Sequence, residues 1–201
     1  MLRSLHTPGA PLLLPNAWDV ATAKAVVEAG FPVVATMEPS ELVSALRSAG
    51  AAGCNPEDTN HVDGSLRDPD RHAEWLSAVR QAASDDHYPL VINARVDVFI
   101  WPYVADPAPG TQDKLVDEAP RRATAYLEAG ADCVYPVCLW ETDPLRRFMA
   151  EFRGPVNISR MPEGPAPAER AALGVARVSW ALFLYWDAIA RFKEQLASLA
   201  G

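Results

Sequence analysis

The stretch AYLEAGADCVYP, Ala125 to Pro136, decides the fold class. Its first half is alanine- and leucine-rich, which favours a helix. Gly130 follows, and a glycine after a helix takes the left-handed conformation that ends it. Cys133 to Pro136 then form a short run with no polar face, as in a parallel strand covered by helices on both sides. The same grammar recurs in AVVEAGFPVVAT (Ala25 to Thr36), SALRSAGAAGCNP (Ser44 to Pro56) and RAALGVARVSW (Arg170 to Trp180). A helix, a glycine and a buried strand, repeated, mean an α/β fold.

Working outward, strands are expected at Leu12 to Pro15, Val33 to Thr36, Gly53 to Pro56, Leu90 to Arg95, Cys133 to Val137, Val156 to Ser159 and Arg177 to Trp180. Helices fall between them. Asp19 can cap Val20 to Ala29, Ser40 can cap Glu41 to Ala49, and Asp68-Pro69 opens a helix through about Ser84. Lys114 to Ala129, with Pro120 interrupting or straining it, Asp143 to Phe152 and Ala181 to Leu199 complete the set. No serine-glycine linker divides the chain, so residues 1–201 read as one domain. Seven strands are one short of a (β/α)8 barrel, which takes about 250 residues. A doubly wound open sheet competes, and periodicity does not choose between them.

Composition narrows the function. Of 201 residues about half are apolar and the formal charge is −8. An acidic surface argues against nucleic acid and anionic membranes as partners. The longest apolar runs, such as PLVINARVDVFIW, are broken by Asn93, Arg95 and Asp97, short of the ~18 residues of a membrane span. Three cysteines, Cys54, Cys133 and Cys138, without a CxxC pattern read as reduced residues of a cytoplasmic protein. GxSxG, P-loop and GxGxxG motifs are absent, and the four histidines lack zinc-ligand spacing.

In either topology ligands bind beyond the C-terminal ends of the strands. Those ends deliver Asn16, Trp18 and Asp19; Thr36 and Glu38; Glu57 and Asp58; Asn93, Arg95 and Asp97; Cys138, Trp140 and Glu141; and Asn157 and Arg160. Several acids around one arginine exceed what core packing needs. Carboxylates suit Mg²⁺ or Mn²⁺, which prefer oxygen, and an arginine suits a substrate carboxylate or phosphate held bidentately. Plainer readings stand beside these: Glu57, Asp58 and Asp19 as caps, Glu38 as a solvent-facing loop acid, and Arg95–Asp97 as a structural ion pair.

Taken together, LLLPNAWDVATAKAVVEAGFPVVAT, GCNPED, PLVINARVDVF, YLEAGADCVYP and LGVARVS, in that order, resemble the isocitrate lyase/phosphoenolpyruvate mutase superfamily over nearly the whole chain. The resemblance implies a TIM-type (β/α) barrel, incomplete here with about seven recognisable strands. It also implies Mg²⁺ and a small 2-oxo or 2-hydroxy carboxylate substrate, whose C–C or P–C bond is cleaved or formed through an enolate-like intermediate. By that resemblance Glu57 helps hold the metal, Arg95 grips the substrate carboxylate, and the loop at Trp18, Asp19 and Val20 wraps the substrate. VVAT runs directly into MEPSELVSAL, so the segment from the second strand's loop to most of the third strand is missing. Thr36 stands where the family has one metal-binding acid, and Glu38 is the surviving candidate for the other. The family's lysine–cysteine gating loop has no counterpart. TNHVDGSL, Thr59 to Leu66, occupies the place of a mobile loop with polar catalytic groups, making Asn60 and His61 its catalytic candidates. Two functions follow as expectations: a Mg²⁺-dependent lyase, or a degenerate barrel that binds or assembles without turnover. On either, the aromatic load of the last helix (Trp180, Phe183, Tyr185, Trp186, Phe192) predicts a homo-oligomer, a dimer or tetramer.

Overall fold

A computed structural model describes residues 12–14, 39–48, 50–60, 63–106, 108–161, 164–181 and 183–200. The expected strand Val33 to Thr36 and the helix Val20 to Ala29 with its Asp19 cap lie outside the described residues. Six strands are described: β1 (Leu12–Leu14), β2 (Gly53–Cys54), β3 (Val91–Val96), β4 (Cys133–Pro136), β5 (Asn157–Ser159) and β6 (Arg177–Ser179). All pair in parallel. β2 lies beside β3 and β3 beside β4, with Arg95 opposite Tyr135. A parallel bridge from Val134 to Val156 carries the ladder on to β5, β5 pairs with β6, and β6 pairs with β1, placing Leu12 and Asn157 on either side of Arg177.

The resulting order, 2-3-4-5-6-1, is sequential and cyclic. A doubly wound sheet would instead reverse direction at an internal switch point. First strand against last is the closure of a (β/α) barrel. Among the described residues β1 and β2 do not pair, and the sequence between them holds the expected second strand, which lies outside the described residues.

The helices are α1 (Pro39–Ser48), α2 (Pro69–Asp85), α3 (Ile100–Ala105), α4 (Ala119–Glu128), α5 (Thr142–Glu151), α6 (Pro167–Ala172) and α7 (Phe183–Ala200). Asp68 caps α2 as expected, its Oδ1 accepting from the backbone N–H of Asp70 and Arg71 at 3.1 and 3.0 Å. Two expectations are corrected. Ser40 lies within α1 rather than before it, because Pro39 takes the first helical position, where its missing N–H costs nothing. Pro120 does not interrupt a long helix: it sits in the first turn of α4, and residues 111–118 are turns and bends. The short 3-10 turn Asp97–Phe99 and α3 were not expected, since the apolar periodicity of VFIW suits a strand end equally well.

Gly130 shows why the repeat needs its glycine. Its φ is +102°, and a Cβ there would stand 2.9 Å from Arg80 Cγ. That close approach lets Arg80 donate to Gly130 O at 2.9 Å, to Leu90 O at 2.8 Å and to Asp132 at 2.5 Å, tying α2 to β3 and β4. The core between strands and helices includes Leu76, Val79, Ile92, Val134, Leu145, Phe148, Ile158 and Val178. Among the described residues no helix is long and apolar enough to cross a membrane.

Candidate functional site

β3 alternates its side chains, so Asn93 and Arg95 share one face. Asn93 Nδ2 donates to Asn55 Oδ1 at 2.7 Å, which locks the segment after β2 against β3. The backbone N–H of Arg95 extends that link by donating to Pro56 O at 2.9 Å. The register carries Glu57 and Asp58 to the level of Arg95 and Asp97. There they build two ion clusters that share the Asp58–Asp97 contact.

The first cluster is centred on Arg95. Its Nε donates to Asp97 Oδ1 at 2.8 Å and its Nη1 pairs with Glu57 Oε1. Asp97 also accepts from Thr59 Oγ1 at 2.7 Å. Burial opposes the charge of Arg95, but Asp97 and then Glu57 outweigh it, and its pKa rises above the ordinary arginine value. Solvent access separates the members: the Glu57 side chain is 34% exposed and that of Asp97 wholly buried. Tyr135 OH and Ser159 Oγ, 3.0 Å apart, lie on the neighbouring strands, and the Ser159 hydroxyl also accepts from the Cys138 backbone N–H. The Cys138 thiol is pushed up to about 11, chiefly by burial, so it is protonated at neutral pH.

The second cluster is centred on Asp58. Its Oδ1 accepts the Asp97 backbone N–H at 2.8 Å, while Oδ2 accepts from Tyr126 OH at 2.6 Å and Arg122 Nη1 at 3.2 Å. The same Nη1 reaches Arg67 O at 2.8 Å, and Arg122 Nε reaches Glu118 at 2.6 Å. Burial first, and then the nearby Asp97 carboxylate, raise the pKa of Asp58; burial and Asp58 likewise raise that of Tyr126. Asp58 itself is fully buried and its carboxylate is taken up by these internal donors, so it is a buried scaffold acid rather than a helix cap.

The other expected residues divide clearly. Asn60 sits at the end of a tight loop, its backbone N–H donating to Ser65 O at 2.7 Å and its carbonyl accepting from Gly64 N–H at 2.8 Å. Glu141 is drawn away from Arg95: its carboxylate accepts from the backbone N–H of Gly110 and Gln112. Arg160 Nη1 turns to Met161 O. Asn157 is buried beside Ser179, whose hydroxyl donates to its Oδ1 at 3.1 Å. Trp18, Asp19, Glu38 and His61 lie outside the described residues. Sequence reasoning missed Arg122 and Tyr126; the available signal was an arginine on the buried stripe of α4, with Ala119, Ala123 and Tyr126, which had to have an acid opposite it. It also missed Gln112, whose amide accepts from the backbone N–H of Trp140 and Glu141 and donates to Cys138 O.

Among the described residues no group of three or more His, Cys, Asp or Glu is placed to hold a metal. The donor chemistry nevertheless fits magnesium at one point. Mg²⁺ keeps several waters and uses one or two carboxylates plus substrate oxygens, and Glu57 is the only solvent-reached acid of the two carboxylates that pair with Arg95.

Comparison with known proteins agrees with the fold. A family profile described as phosphoenolpyruvate phosphomutase matches residues 2–38 and 37–200. The two matched segments meet where the sequence passes from VVAT into MEPSEL, the junction at which the resemblance implies a missing segment. A Burkholderia cenocepacia crystal structure, provisionally termed a phosphonomutase, superposes with a TM-score of 0.84 at 32% identity, covering 98% of each chain. The 2-methylisocitrate lyase of Bacillus subtilis is 29% identical over 117 residues, 58% of this chain and 34% of that enzyme. A phosphonopyruvate hydrolase crystallised with oxalate and Mg²⁺ shares the fold, with a TM-score of 0.74 at 18% identity over 99% of this chain and 85% of that one.

Proposed function

Because the chain belongs to the phosphoenolpyruvate phosphomutase family, and its relatives include a 2-methylisocitrate lyase and a phosphonopyruvate hydrolase crystallised with oxalate and Mg²⁺, we propose that it is a Mg²⁺-dependent lyase. Its substrate is a small 2-oxo or 2-hydroxy carboxylate, and it breaks a C–C or P–C bond through an enolate-like intermediate. The observation that carries this reading is the Glu57–Arg95–Asp97 cluster at the C-terminal strand ends.

Arg95 is held from below by buried Asp97, which fixes the fork while Nη1 faces Glu57 at the mouth. A substrate carboxylate takes the place of the Glu57 carboxylate on Arg95, a like-for-like exchange that leaves no cation unpaired. Glu57 and Glu38 are the residues that hold the magnesium. When bound, the ion acts as a Lewis acid that favours negative charge on the substrate. Trp18 and Asp19 line the substrate from the first loop, and Asn60 and His61 supply polar groups from the loop after β2.

Calorimetric titration with oxalate in the presence of Mg²⁺ tests the site, and a panel of 2-oxo and 2-hydroxy acids assayed for released pyruvate or glyoxylate tests turnover. Saturable heat and a released product are expected. No heat at millimolar oxalate counts against the whole reading.

A second reading, a barrel that binds such acids without turnover, is supported by the two-part family match, whose segments meet at Thr36 to Glu38, where the resemblance implies one metal-binding acid without a counterpart. Oxalate binding without product release across the panel favours it. On either reading we propose self-association through α7, which exposes Trp186 (57%), Phe192 (55%) and Leu199 (84%). Light scattering at micromolar concentration is expected to give a dimer or tetramer mass, and a monomer mass would refute it.

A further inference from the structure

A cavity of about 410 Å³ opens on the far side of the Asp58 cluster, lined by Asn60, Arg67, Asp68, Arg71, His72 and Trp75. That volume lies within the range of small-molecule sites, roughly 300–1,000 Å³. His72 is 2% exposed, and neither ring nitrogen has a hydrogen-bond partner. Its ring is fixed by parallel stacking on Trp75 at 5.6 Å and by the edge of Tyr126 at 4.9 Å. A buried imidazole with an unmet donor and an unmet acceptor is unfavourable, so its retention on a cavity wall points to a partner that enters the cavity.

The charges around it indicate what that partner is. Among the described residues Arg67 donates from Nε alone, to Thr59 O at 3.4 Å, and neither Arg67 nor Arg71 has a carboxylate within ion-pair range. The one acid on the wall, Asp68, is already committed to capping α2. The amides of that helix end are therefore satisfied internally, and an entering anion must be met by side chains. Two guanidinium groups and an imidazole N–H offer more donors than a carboxylate uses and suit the three oxygens of a phosphoryl group. The Trp75 wall leaves room for a short carbon skeleton.

We propose that this cavity binds a small phosphate-bearing organic molecule at a site separate from Arg95. From His72, buried contacts run through Tyr126, Asp58 and Asp97 before Arg95 is reached, and of the lining residues Asn60 alone is also assigned to the Arg95 site. The proposal does not depend on the lyase reading.

The test is calorimetry of the full chain with phosphoglycolate, and with inorganic phosphate as the minimal probe, at fixed ionic strength and with oxalate saturating the Arg95 site. One saturable site is expected for phosphoglycolate. Arg71→Ala, on the exposed face of α2 where folding is not at stake, weakens it about tenfold or more, in keeping with one charge-assisted contact. His72→Phe keeps the ring stack and also weakens it, while Arg95→Lys leaves it unchanged. No saturable heat, equal affinity in Arg71→Ala, or a loss in Arg95→Lys that Arg71→Ala does not share would each overturn the proposal. The first outcome leaves the lyase reading intact, because that reading is scored on oxalate.

Discussion

Glu57 and Asp58 are neighbours in sequence, yet each ends beside a different arginine, and the two arginines do opposite work. Glu57 meets Arg95 where the side chain is one-third exposed. Asp58 meets Arg122 where neither side chain is more than 6% exposed. In an extended segment successive side chains point to opposite sides, so one acid of the pair faces the mouth of the barrel and the other its wall. The difference teaches what to expect of each ion pair. A partly solvated pair can exchange a partner at little cost. A buried pair that loses one member leaves an uncompensated charge, which costs roughly 3–5 kcal/mol.

The largest effect expected from breaking this comparison is at Arg95. Arg95→Lys keeps the charge opposite Asp97 but loses the planar fork that a carboxylate binds bidentately. Activity on whichever acid is turned over, or oxalate affinity if none is, falls on the order of a hundred- to a thousandfold. Stability, read from urea unfolding, changes by less than about 1 kcal/mol, because Thr59 still donates to Asp97. A loss of activity that simply tracks a loss of folded protein would merge the two clusters into one structural unit.

Asp58→Ala inverts that pattern. It removes the acceptor for Tyr126 OH, Arg122 Nη1 and the Asp97 backbone N–H together. Stability falls by about 3–5 kcal/mol, with a drop in activity no larger than the unfolded fraction explains. A variant as stable as the parent would show that Arg122 finds Glu118 sufficient.

A third, smaller effect depends on pH. Burial first, and then the charges of Arg67 and Arg122, press His72 down from 6.5 to about 4. Because its folded pKa lies below its unfolded one, the neutral ring contributes stability that is complete above about pH 6.5. That contribution is lost as pH falls toward 4. The difference corresponds to roughly 3 kcal/mol. His72→Phe, which cannot bind a proton, therefore shows a shallower fall in unfolding free energy between pH 7 and pH 4.5. Parallel curves for parent and variant would place the His72 proton in solvent.

These contrasts also show how much the sequence carried. The repeat around Gly130 and Gly174 fixes strand and helix alternation, because a positive φ there is a local demand. Arg95 and Glu57 were legible because strand ends in this architecture converge on one face. The closure of β6 on β1 was not, since strand order is a long-range property; periodicity favoured neither topology, and the resemblance had to choose. Arg122 and Tyr126 were missed for the same reason: they reach Asp58 from 64 and 68 residues away. Pro120 misled because a proline reads alike as a break in one helix or the start of the next, and only the turns before it decide.

The smallest effect is the most discriminating. Glu57→Gln keeps an oxygen for Arg95 Nη1 but removes the negative charge. Arg95 retains buried Asp97 as its counter-ion, so the cost to stability stays within about 1 kcal/mol, as for other part-exposed pairs. Two outcomes in ligand binding then separate the roles of this carboxylate. If Glu57 holds the ion, Mg²⁺-dependent oxalate affinity falls about tenfold or more, while metal-free oxalate binding rises, because a neutral amide competes less well for Arg95. If Glu57 only fills the arginine, metal-free binding still rises, and the dependence on Mg²⁺ does not change. Titrating oxalate into parent and variant with and without Mg²⁺ measures all four affinities. The double difference among them isolates the coupling between this one side chain and the metal.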